Sequence, residues 1–302
     1  MSDRFTSVER RIDDLAHKAL DRLERGPVPA ALIEFVAFGL KQAWACLFGG
    51  LMLAMILATA LFYPEDASLL RYDALFLGAI AIQIGMIVFK LETYDEVKVI
   101  ALFHIVGTVM EIFKTAMGSW IYPEEAIFRI GGVPLFSGFM YAAVGSYLAR
   151  ISRIFDFRFK RYPPIWATVL LAIAIYVNFF SHHFLPDIRL ALFAAVLVLF
   201  GPTTIHYRVF RYRLWMPLVL GFVLVALFIW VAENIGTLSG AWLYPDQLDG
   251  WTPVSIAKLG AWLLLMIISF VLVTLVRPPA PMTQEHEVRP DKASVRQPAA
   301  RD

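Results

Sequence analysis

The sequence predicts an all-α integral membrane protein with eight transmembrane helices, arranged as two parallel four-helix repeats with both termini in the cytoplasm. Three observations lead to this prediction. Hydrophobic residues make up 59% of the 302 residues, and the mean hydropathy of +0.65 is far above that of a soluble domain. The Lys and Arg residues concentrate in alternate loops, and one motif occurs twice.

Residues 1–29 are predicted to form a cytoplasmic amphipathic segment. Thr6 and Glu9 have the spacing of a capping box, and apolar residues follow on one helical face. The polar face mixes both signs of charge, which favours a short helix held on the protein over a helix on the membrane surface. No signal peptide is apparent, because the first apolar run begins near residue 30, behind this charged stretch.

Eight apolar segments follow the amphipathic segment. The run 30–63 would be roughly 50 Å long as one helix, so we place its span at 43–63 and treat 30–42 as an interfacial lead-in. The other spans are predicted at 73–90, 96–117, 132–150, 164–181, 188–205, 214–235 and 254–276. The first repeat is then 30–151 and the second 152–277, and 278–302 is predicted to be a disordered cytoplasmic tail.

The positive charges orient this layout. Of the 27 Lys and Arg residues, 21 lie in the terminal segments or at the loops after spans two, four and six, counting the span ends beside each loop, and 3 lie at the loops on the other side. Cytoplasmic loops carry the excess of Lys and Arg in membrane proteins. Both termini are therefore predicted to be cytoplasmic, in a bacterial inner membrane. Because the membrane explains the basic residues, no nucleic-acid partner is predicted.

The internal repeat contains the candidate functional residues. A shift of 122 positions superposes ENIGTLSGAWLYPD on EIFKTAMGSWIYPE, so that Glu, Trp, Tyr and Pro recur at one spacing. The two copies of the motif follow predicted spans three and seven, four helices apart. Because four is an even number, the two halves should have the same orientation and be related by a pseudo-two-fold axis along the membrane normal. The candidate acid or coupling residues are the matched acids Glu111, Glu233, Glu124 and Asp246.

Glu111 is the deepest of these acids, roughly 20 Å along its helix from Lys98. A carboxylate inside the bilayer costs several kcal/mol unless it is paired or faces a polar cavity, so it is a functional-site hypothesis by default. Lys114, three residues later, is the expected ion-pair partner, and His104 shares the same helical face. The alternative is a paired acid that only fixes helix packing.

Four aromatic residues accompany the two intramembrane acids: Trp120, Tyr122, Trp242 and Tyr244. A belt of Trp and Tyr at the membrane interface would explain their chemistry but not their matched spacing to Glu and Pro, and both interpretations stay open. The single cysteine, Cys46, excludes a disulfide framework and a Cys-based metal site. Motifs of triads, P-loops, Rossmann folds and metalloproteases are absent, and we assign neither a cofactor nor a metal.

The chain resembles the YoaT-like bacterial membrane proteins through Glu111, the stretch GSWIYPEE at 118–125 and the segment GGVPLFSGFMYAAVGSYLAR at 131–150. That is a family of unknown function. The resemblance covers the membrane region, and it implies an integral membrane protein without supplying an activity.

Shorter motifs are similar to those of carotenoid-modifying membrane enzymes. Small lycopene cyclases have a Pro-x-Glu-Glu motif, and the Pro-Glu-Glu at 123–125 lacks the intervening residue. Carotenoid hydratases have a Gly-x-aromatic-x-Tyr run followed by Gly-Val-Pro, which Gly118, Trp120, Tyr122 and 132–134 match loosely. This likeness implies chemistry on an isoprenoid.

Two functional hypotheses follow. The favoured one is a multi-pass membrane protein that transports a small solute coupled through its outer-half acids, because parallel halves with matched acids suit proton- or cation-coupled transport. The alternative is an intramembrane enzyme that uses a carboxylic acid on an isoprenoid or other lipid. A non-catalytic scaffold is a third possibility. The lipid bilayer is the predicted partner, and convergence of Glu111 and Glu233 on one cavity would support both active-site hypotheses.

Overall fold

The computed structural model describes residues 6–24, 30–64, 66–210 and 212–283, and these residues are mostly helical. Their ten α-helices are α1 Ser7–Glu24, α2 Ala30–Ala45, α3 Leu47–Phe62, α4 Arg71–Val88, α5 Tyr94–Ala116, α6 Phe136–Ile154, α7 Ile165–Ser181, α8 Arg189–Phe200, α9 Leu218–Leu238 and α10 Leu259–Val276. Their five short strands are β1 Arg129–Ile130, β2 Val133–Pro134, β3 Arg158–Lys160, β4 Thr204–Arg208 and β5 Arg213–Pro217. β1 and β2 form a hairpin, and β3, β4 and β5 form an antiparallel sheet in that order.

Four helical segments of the described residues are long and apolar enough to cross a membrane: α4, α5, α9 and 256–276, which contains α10. α2 and α3 meet at a bend of 67° and add a fifth span if the bent pair is counted as one. α7 and α8 are apolar but shorter. The chain is therefore a mostly helical protein with four to five candidate membrane spans.

α1 begins with the predicted capping box. The Thr6 amide donates to the Glu9 carboxylate at 2.8 Å, and the Glu9 amide donates to the Thr6 hydroxyl at 3.2 Å. The Glu9 carboxylate also accepts from the Trp44 indole at 3.0 Å and pairs with Arg153 of α6. α1 is thus held on the protein, as the mixed charge of its polar face predicts. The rest of the predicted segment 1–29 lies outside the described residues.

α6 is the central helix, in contact with α2, α3, α4, α5 and α10, and it packs most extensively against α5. A small residue makes this close approach possible. A Cβ added at Gly138 would lie 2.6 Å from the His104 ring and 2.7 Å from the Thr108 hydroxyl. The contact fixes α5, and with it Glu111, against α6.

Three predicted span boundaries lie in strands or turns instead of helices. α6 begins at Phe136, because Gly131 and Gly132 take φ angles of 58° and 82° in the turn that joins β1 to β2. The predicted ends of spans six and seven, at 205 and 214, lie in the β4–β5 hairpin. Hydropathy alone extends the helices into this hairpin, because the main-chain pairing between strands leaves no mark on composition.

The predicted disordered tail 278–302 is wrong for its first residues. Residues 278–283 run beside β3, where the Phe159 amide donates to the Ala280 carbonyl and the Met282 amide donates to the Phe159 carbonyl, both at 2.9 Å. These hydrogen bonds satisfy main-chain groups that would otherwise need water. The remainder of that prediction, 284–302, lies outside the described residues.

Candidate functional site

Glu111 of α5 and Glu233 of α9 line one cavity with a volume of about 210 Å³, which we call the glutamate cavity. Both side chains are buried. The other lining residues are mostly apolar or aromatic: Cys46, Gly49, Gly50, Leu53, Trp120, Tyr122, Ser137, Met140, Tyr141, Ala143, Val144, Tyr147, Val225, Phe228, Ile229, Ala232, Trp242, Tyr244, Trp262 and Leu265. The two motif acids and all four motif aromatics therefore meet at one place.

Glu111 accepts three hydrogen bonds from neutral donors. The Trp120 indole and the Tyr122 hydroxyl donate to Oε2 at 2.8 Å and 2.6 Å, and the Tyr141 hydroxyl of α6 donates to Oε1 at 2.7 Å. Hydrogen bonds to an ionised carboxylate are stronger than those between neutral groups. The arrangement stabilises negative charge at Glu111 without a counter-ion.

Glu233 repeats two of these three contacts. The Trp242 indole and the Tyr244 hydroxyl donate to Oε1 at 2.8 Å and 2.6 Å, the same distances as at Glu111. Within the described residues Oε2 of Glu233 accepts no hydrogen bond. The two acids thus have the same local design but different numbers of donors, which leaves one oxygen of Glu233 available.

Both motif loops leave their helices through the same turn. Gly118 and Gly240 each have a φ of 69°, in the left-handed region that favours glycine. Their amides donate to the carbonyls of Thr115 and Thr237, each at 3.0 Å. The turn reverses the chain, and the Trp and Tyr that follow can then reach back to the glutamate within the helix.

The two loops also pair with each other. The Ile121 amide donates to the Leu243 carbonyl at 2.9 Å, and the Leu243 amide donates to the Ile121 carbonyl at 3.0 Å, in an antiparallel bridge. These two residues are 122 positions apart, the offset of the sequence motif. Each loop therefore contacts the other through its equivalent residue, which holds the two Trp and Tyr pairs side by side.

The motif tyrosines are neutral donors. Burial, followed by the nearby Glu111 carboxylate, raises the pKa of Tyr122 well above its usual value. Burial, followed by Glu233, raises the pKa of Tyr244 in the same way. Both phenols keep their protons at neutral pH, so they donate to the carboxylates rather than compete with them for protons.

The expected ion pair between Lys114 and Glu111 is wrong. The Lys114 ammonium lies 3.1 Å from Nε2 of His183 and 3.4 Å from Nε2 of His182, and 5.6 Å from the centre of the Phe179 ring. Sequence spacing places Lys114 near Glu111 on the helix, but the Trp and Tyr donors occupy the surroundings of the carboxylate. Lys114 faces the end of α7 instead.

Glu124 and Asp246 are not among the residues that line the glutamate cavity. Glu124 forms an ion pair with Arg71 at the start of α4. Asp246 is exposed in the short 3-10 turn Pro245–Gln247. The structure therefore divides the four matched acids into a cavity pair and a loop pair.

His104 shares a helical face with Glu111, as predicted, but does not line the glutamate cavity. Its ring packs against the Phe139 ring of α6, with the centres 4.7 Å apart. Its Nδ1 is buried and has no hydrogen-bond partner within the described residues. These contacts place His104 in the interface between α5 and α6.

Three polar aromatic residues of the cavity are absent from the sequence prediction: Tyr141, Tyr147 and Trp262. Tyr141 is a donor to Glu111, Tyr147 donates to a glutamine of α2 at 3.0 Å, and the buried Nε1 of Trp262 has no partner within the described residues. A tyrosine inside an apolar span normally needs a hydrogen-bond partner. That rule, applied to 131–150, would have identified the two tyrosines.

The chemistry available in the cavity is proton transfer. Two carboxyl groups lie among apolar and aromatic walls, and phenol and indole donors stabilise the form that has lost its proton. Moving a charge out of water is expensive, so a carboxyl group in such a site readily exchanges a proton with a partner that enters it. Among the residues that the structure describes, no group of three or more His, Cys, Asp or Glu is placed to hold a metal ion.

Two solved structures have partial similarity to this fold. A mycobacterial Insig homolog from Mycobacterium vanbaalenii matches with a TM-score of 0.45 and 16% identity, over 62% of this chain and 97% of that chain. A cross-linked trimer of a variant of that protein matches with a TM-score of 0.44 at the same identity and coverage.

Two sequence comparisons identify the family. The chain is 45% identical over 269 residues to the uncharacterized protein YoaT of Bacillus subtilis strain 168, which covers 88% of this chain and 97% of that protein. The resemblance to YoaT-like proteins is confirmed, whereas the likeness to carotenoid-modifying enzymes is not. A family model described as protein of unknown function (DUF817) matches residues 34–270. This chain belongs to the DUF817 family.

Proposed function

We propose that the chain is an intramembrane enzyme that exchanges protons with an unsaturated lipid chain, with Glu111 and Glu233 as its acid and base. One observation carries the proposal: two acids from distant parts of the sequence line a single cavity whose other walls are mostly apolar and aromatic. A polar solute would find few partners on such walls, whereas an apolar chain matches them. This is why we now prefer the lipid enzyme to the solute transporter.

The proposed step moves a double bond. Glu233 carries a proton on Oε2, which accepts no hydrogen bond, and gives it to one carbon of the alkene, whose π electrons form the new C–H bond. The neighbouring carbon becomes cationic and is stabilised by the aromatic faces around it. Glu111 then removes a proton from the next carbon, and the electrons of that C–H bond form the shifted double bond. Proton exchange with water resets the two acids.

The test is incorporation of solvent deuterium. Membranes from cells that express the chain, supplemented with polyisoprenoid lipids, are incubated in deuterium oxide and their lipids are analysed by mass spectrometry. We expect deuterium on carbon in at least one unsaturated lipid, and none above background in membranes that lack the chain. Equal labelling in both membranes would rule out the proposed reaction.

Proton-coupled transport is the second candidate, and the bridge between the motif loops favours it. Two main-chain hydrogen bonds join Ile121 to Leu243. Separation of the loops would break these hydrogen bonds and the contact between the Trp120 and Tyr244 rings, and it would open the glutamate cavity on that side, as alternating access requires. The two functions make different demands on the bridge, because a transporter must open it in each cycle.

A disulfide across the bridge distinguishes the two functions. Residues that exchange both hydrogen bonds across an antiparallel pair have Cα atoms about 5.5 Å apart, which suits a disulfide. We expect Ile121→Cys with Leu243→Cys, in a Cys46→Ser background, to cross-link on oxidation and to leave deuterium exchange intact. Loss of solvent-proton flux in liposomes on oxidation, with recovery on reduction, would favour the transporter instead.

We further propose that α3–α10 are eight membrane spans in two parallel four-helix halves, with both termini in the cytoplasm of a bacterial inner membrane. The Lys and Arg distribution and the matched contacts at an offset of 122 support this topology. α7 and α8 are shorter than the roughly 20 residues of a typical span, so the bilayer would thin beside them. In a Cys46→Ser background, Glu125→Cys and Tyr207→Cys should react with impermeant reagents from opposite sides. Labelling from the same side would contradict this topology.

A further inference from the structure

A second, larger cavity adjoins the glutamate cavity. It has a volume of about 680 Å³ and is lined by residues of α2, α6, α9 and α10, with Arg153, Arg158 and Arg277 among them, and we call it the arginine cavity. Four residues line both cavities: Cys46, Tyr147, Val225 and Phe228. The two cavities are therefore adjacent, and one elongated molecule that passes these four side chains could occupy both.

The two cavities together extend along most of α9. Leu218 at the start of α9 lines the arginine cavity, and Glu233 on the same helix lines the glutamate cavity. These residues are separated by 15 positions, which is roughly 22 Å along a helix. Between them the wall is mostly apolar, with Phe222 and Val225 facing the space. The shape and chemistry suit a long hydrocarbon chain.

The charged residues of the arginine cavity lie at its end away from Glu111 and Glu233. Arg153 is matched by the carboxylates of Glu9 and Glu96, which contact it directly. Asp156, in contrast, pairs with both Arg158, at 3.0 Å, and Arg213, at 2.7 Å.

Arg277 adds a second cation at this end of the arginine cavity. It is half-buried, and its side chain makes no hydrogen bond or ion pair within the described residues. Burial, followed by the positive charge of Arg153, lowers the pKa of Arg277, while the acids Glu96 and Asp95 oppose this. A desolvated guanidinium without a partner is a favourable place for an anion, because the arginine fork matches phosphate oxygens.

We infer that the two cavities together bind one amphipathic lipid. Its phosphate-type head group contacts Arg277 and Arg158 in the arginine cavity, and its unsaturated chain reaches Glu111 and Glu233. The reaction of the unsaturated lipid chain at Glu111 and Glu233 rests on the proposed function. Recognition of the head group does not, because it depends on the arginine cavity alone.

The continuing chain is the competing occupant, since Pro278, Pro279 and Ala280 line the arginine cavity. The sequence beyond residue 283 is polar and rich in charges of both signs. Such a segment could pair with Arg277, but it would leave the apolar wall between the two cavities uncovered. The lipid would both pair with Arg277 and cover the apolar wall.

The experiment compares three probes on the purified full-length chain in a nonionic detergent: geranylgeranyl diphosphate, geranylgeraniol and inorganic diphosphate. Binding is followed by quenching of the tryptophan fluorescence, because Trp120, Trp242 and Trp262 line the glutamate cavity. We expect the diphosphate lipid to bind at least about tenfold more tightly than the alcohol, since a hydrogen bond to a charged group contributes this much or more. Inorganic diphosphate, which lacks the chain, should leave the fluorescence of these three tryptophans unchanged, because none of them lines the arginine cavity.

Arg277→Gln should weaken binding of the diphosphate lipid about tenfold and leave binding of geranylgeraniol unchanged. Arg129→Gln is the matched control, because Arg129 is exposed and lies outside the arginine cavity. Equal affinities for the two lipids in the wild-type chain, or no effect of Arg277→Gln, would overturn the inference. Binding that appears only after deletion of 284–302 would identify the chain itself as the occupant and would also overturn it.

The same assay separates this inference from the proposed function. Glu111→Gln leaves the arginine cavity intact, so the variant should still prefer the diphosphate lipid to the alcohol. A chain that binds the diphosphate lipid but incorporates no deuterium would refute the proton-transfer chemistry alone. Deuterium exchange without a preference for the diphosphate lipid would refute only the inference that the lipid has a phosphate-type head group.

Discussion

Glu111→Gln and Glu233→Gln should each lower the rate of solvent-deuterium incorporation by about 10²–10⁴-fold, the usual contribution of a positioned acid or base. Glutamine keeps the size of the side chain, and its amide oxygen can still accept from the Trp and Tyr donors. It cannot give or take a proton at neutral pH. The loss should therefore appear in the rate while the chain remains folded.

The double variant should be little worse than either single variant. In the proposed step one glutamate gives a proton and the other removes one, so either loss breaks the same cycle, and groups that act as a unit have non-additive effects. Rates that fall multiplicatively would mean that the two acids act independently. The measurement is the initial rate of deuterium incorporation into lipid, normalised to the amount of protein in the membrane.

Glu124→Gln is the matched control for both variants. Glu124 belongs to the same motif and carries the same side chain, but it pairs with Arg71 and does not line the glutamate cavity. We expect the Glu124→Gln rate to stay within about twofold of wild type, because the Glu124 side chain lies outside the glutamate cavity and glutamine can still accept a hydrogen bond from Arg71. A loss as large as that of Glu111→Gln would move the candidate site from the cavity to the loop.

Arg153→Met should destabilise the folded protein by about 3–5 kcal/mol, the usual cost of removing one partner of a buried ion pair. The Arg153 side chain is fully buried and contacts two carboxylates, Glu9 of α1 and Glu96 of α5. Methionine fills much of the same volume and leaves both acids without a cation. Protonation of one acid would reduce the cost, and the effect should therefore be smaller at acidic pH.

Thermal unfolding of the purified protein in detergent measures this effect, and proteolysis should cut α1 free sooner in Arg153→Met. Lys98→Met is the control, because Lys98 pairs with Asp95 at the surface, where both side chains are about half exposed. Such pairs contribute about 0–1 kcal/mol. If the two variants unfolded at the same temperature, the buried cluster would not be what holds α1 on α6.

Local features of this protein were predictable because they depend on nearby residues. The Thr6–Glu9 capping box is a contact over three positions, and it is present as predicted. The bounds of most helices agree closely with the predicted apolar segments, because hydropathy identifies the stretches of chain that suit a membrane. The β4–β5 hairpin escaped prediction because its basic residues indicate only a loop between spans six and seven, and the strands are defined by pairing between residues of that loop and the span ends.

The glutamate site combines both kinds of information. The repeated spacing of Glu, Trp and Tyr marked the residues that meet at the glutamate cavity, since a matched motif records a shared local geometry. The sequence could not tell a belt of interface aromatics from a set of hydrogen-bond donors. The structure places the Trp242 and Tyr244 donors on Glu233, and their equivalents on Glu111.

Composition and spacing along the chain were enough to predict the membrane class, the candidate acids and their aromatic partners. The packing of the helices was needed to bring Glu111 and Glu233 to one cavity, to add Tyr141 to it and to turn Lys114 toward His183. The difference lies in the direction of the side chains. Spacing fixes which residues share a helical face, but the packing of the neighbouring helices decides what that face meets.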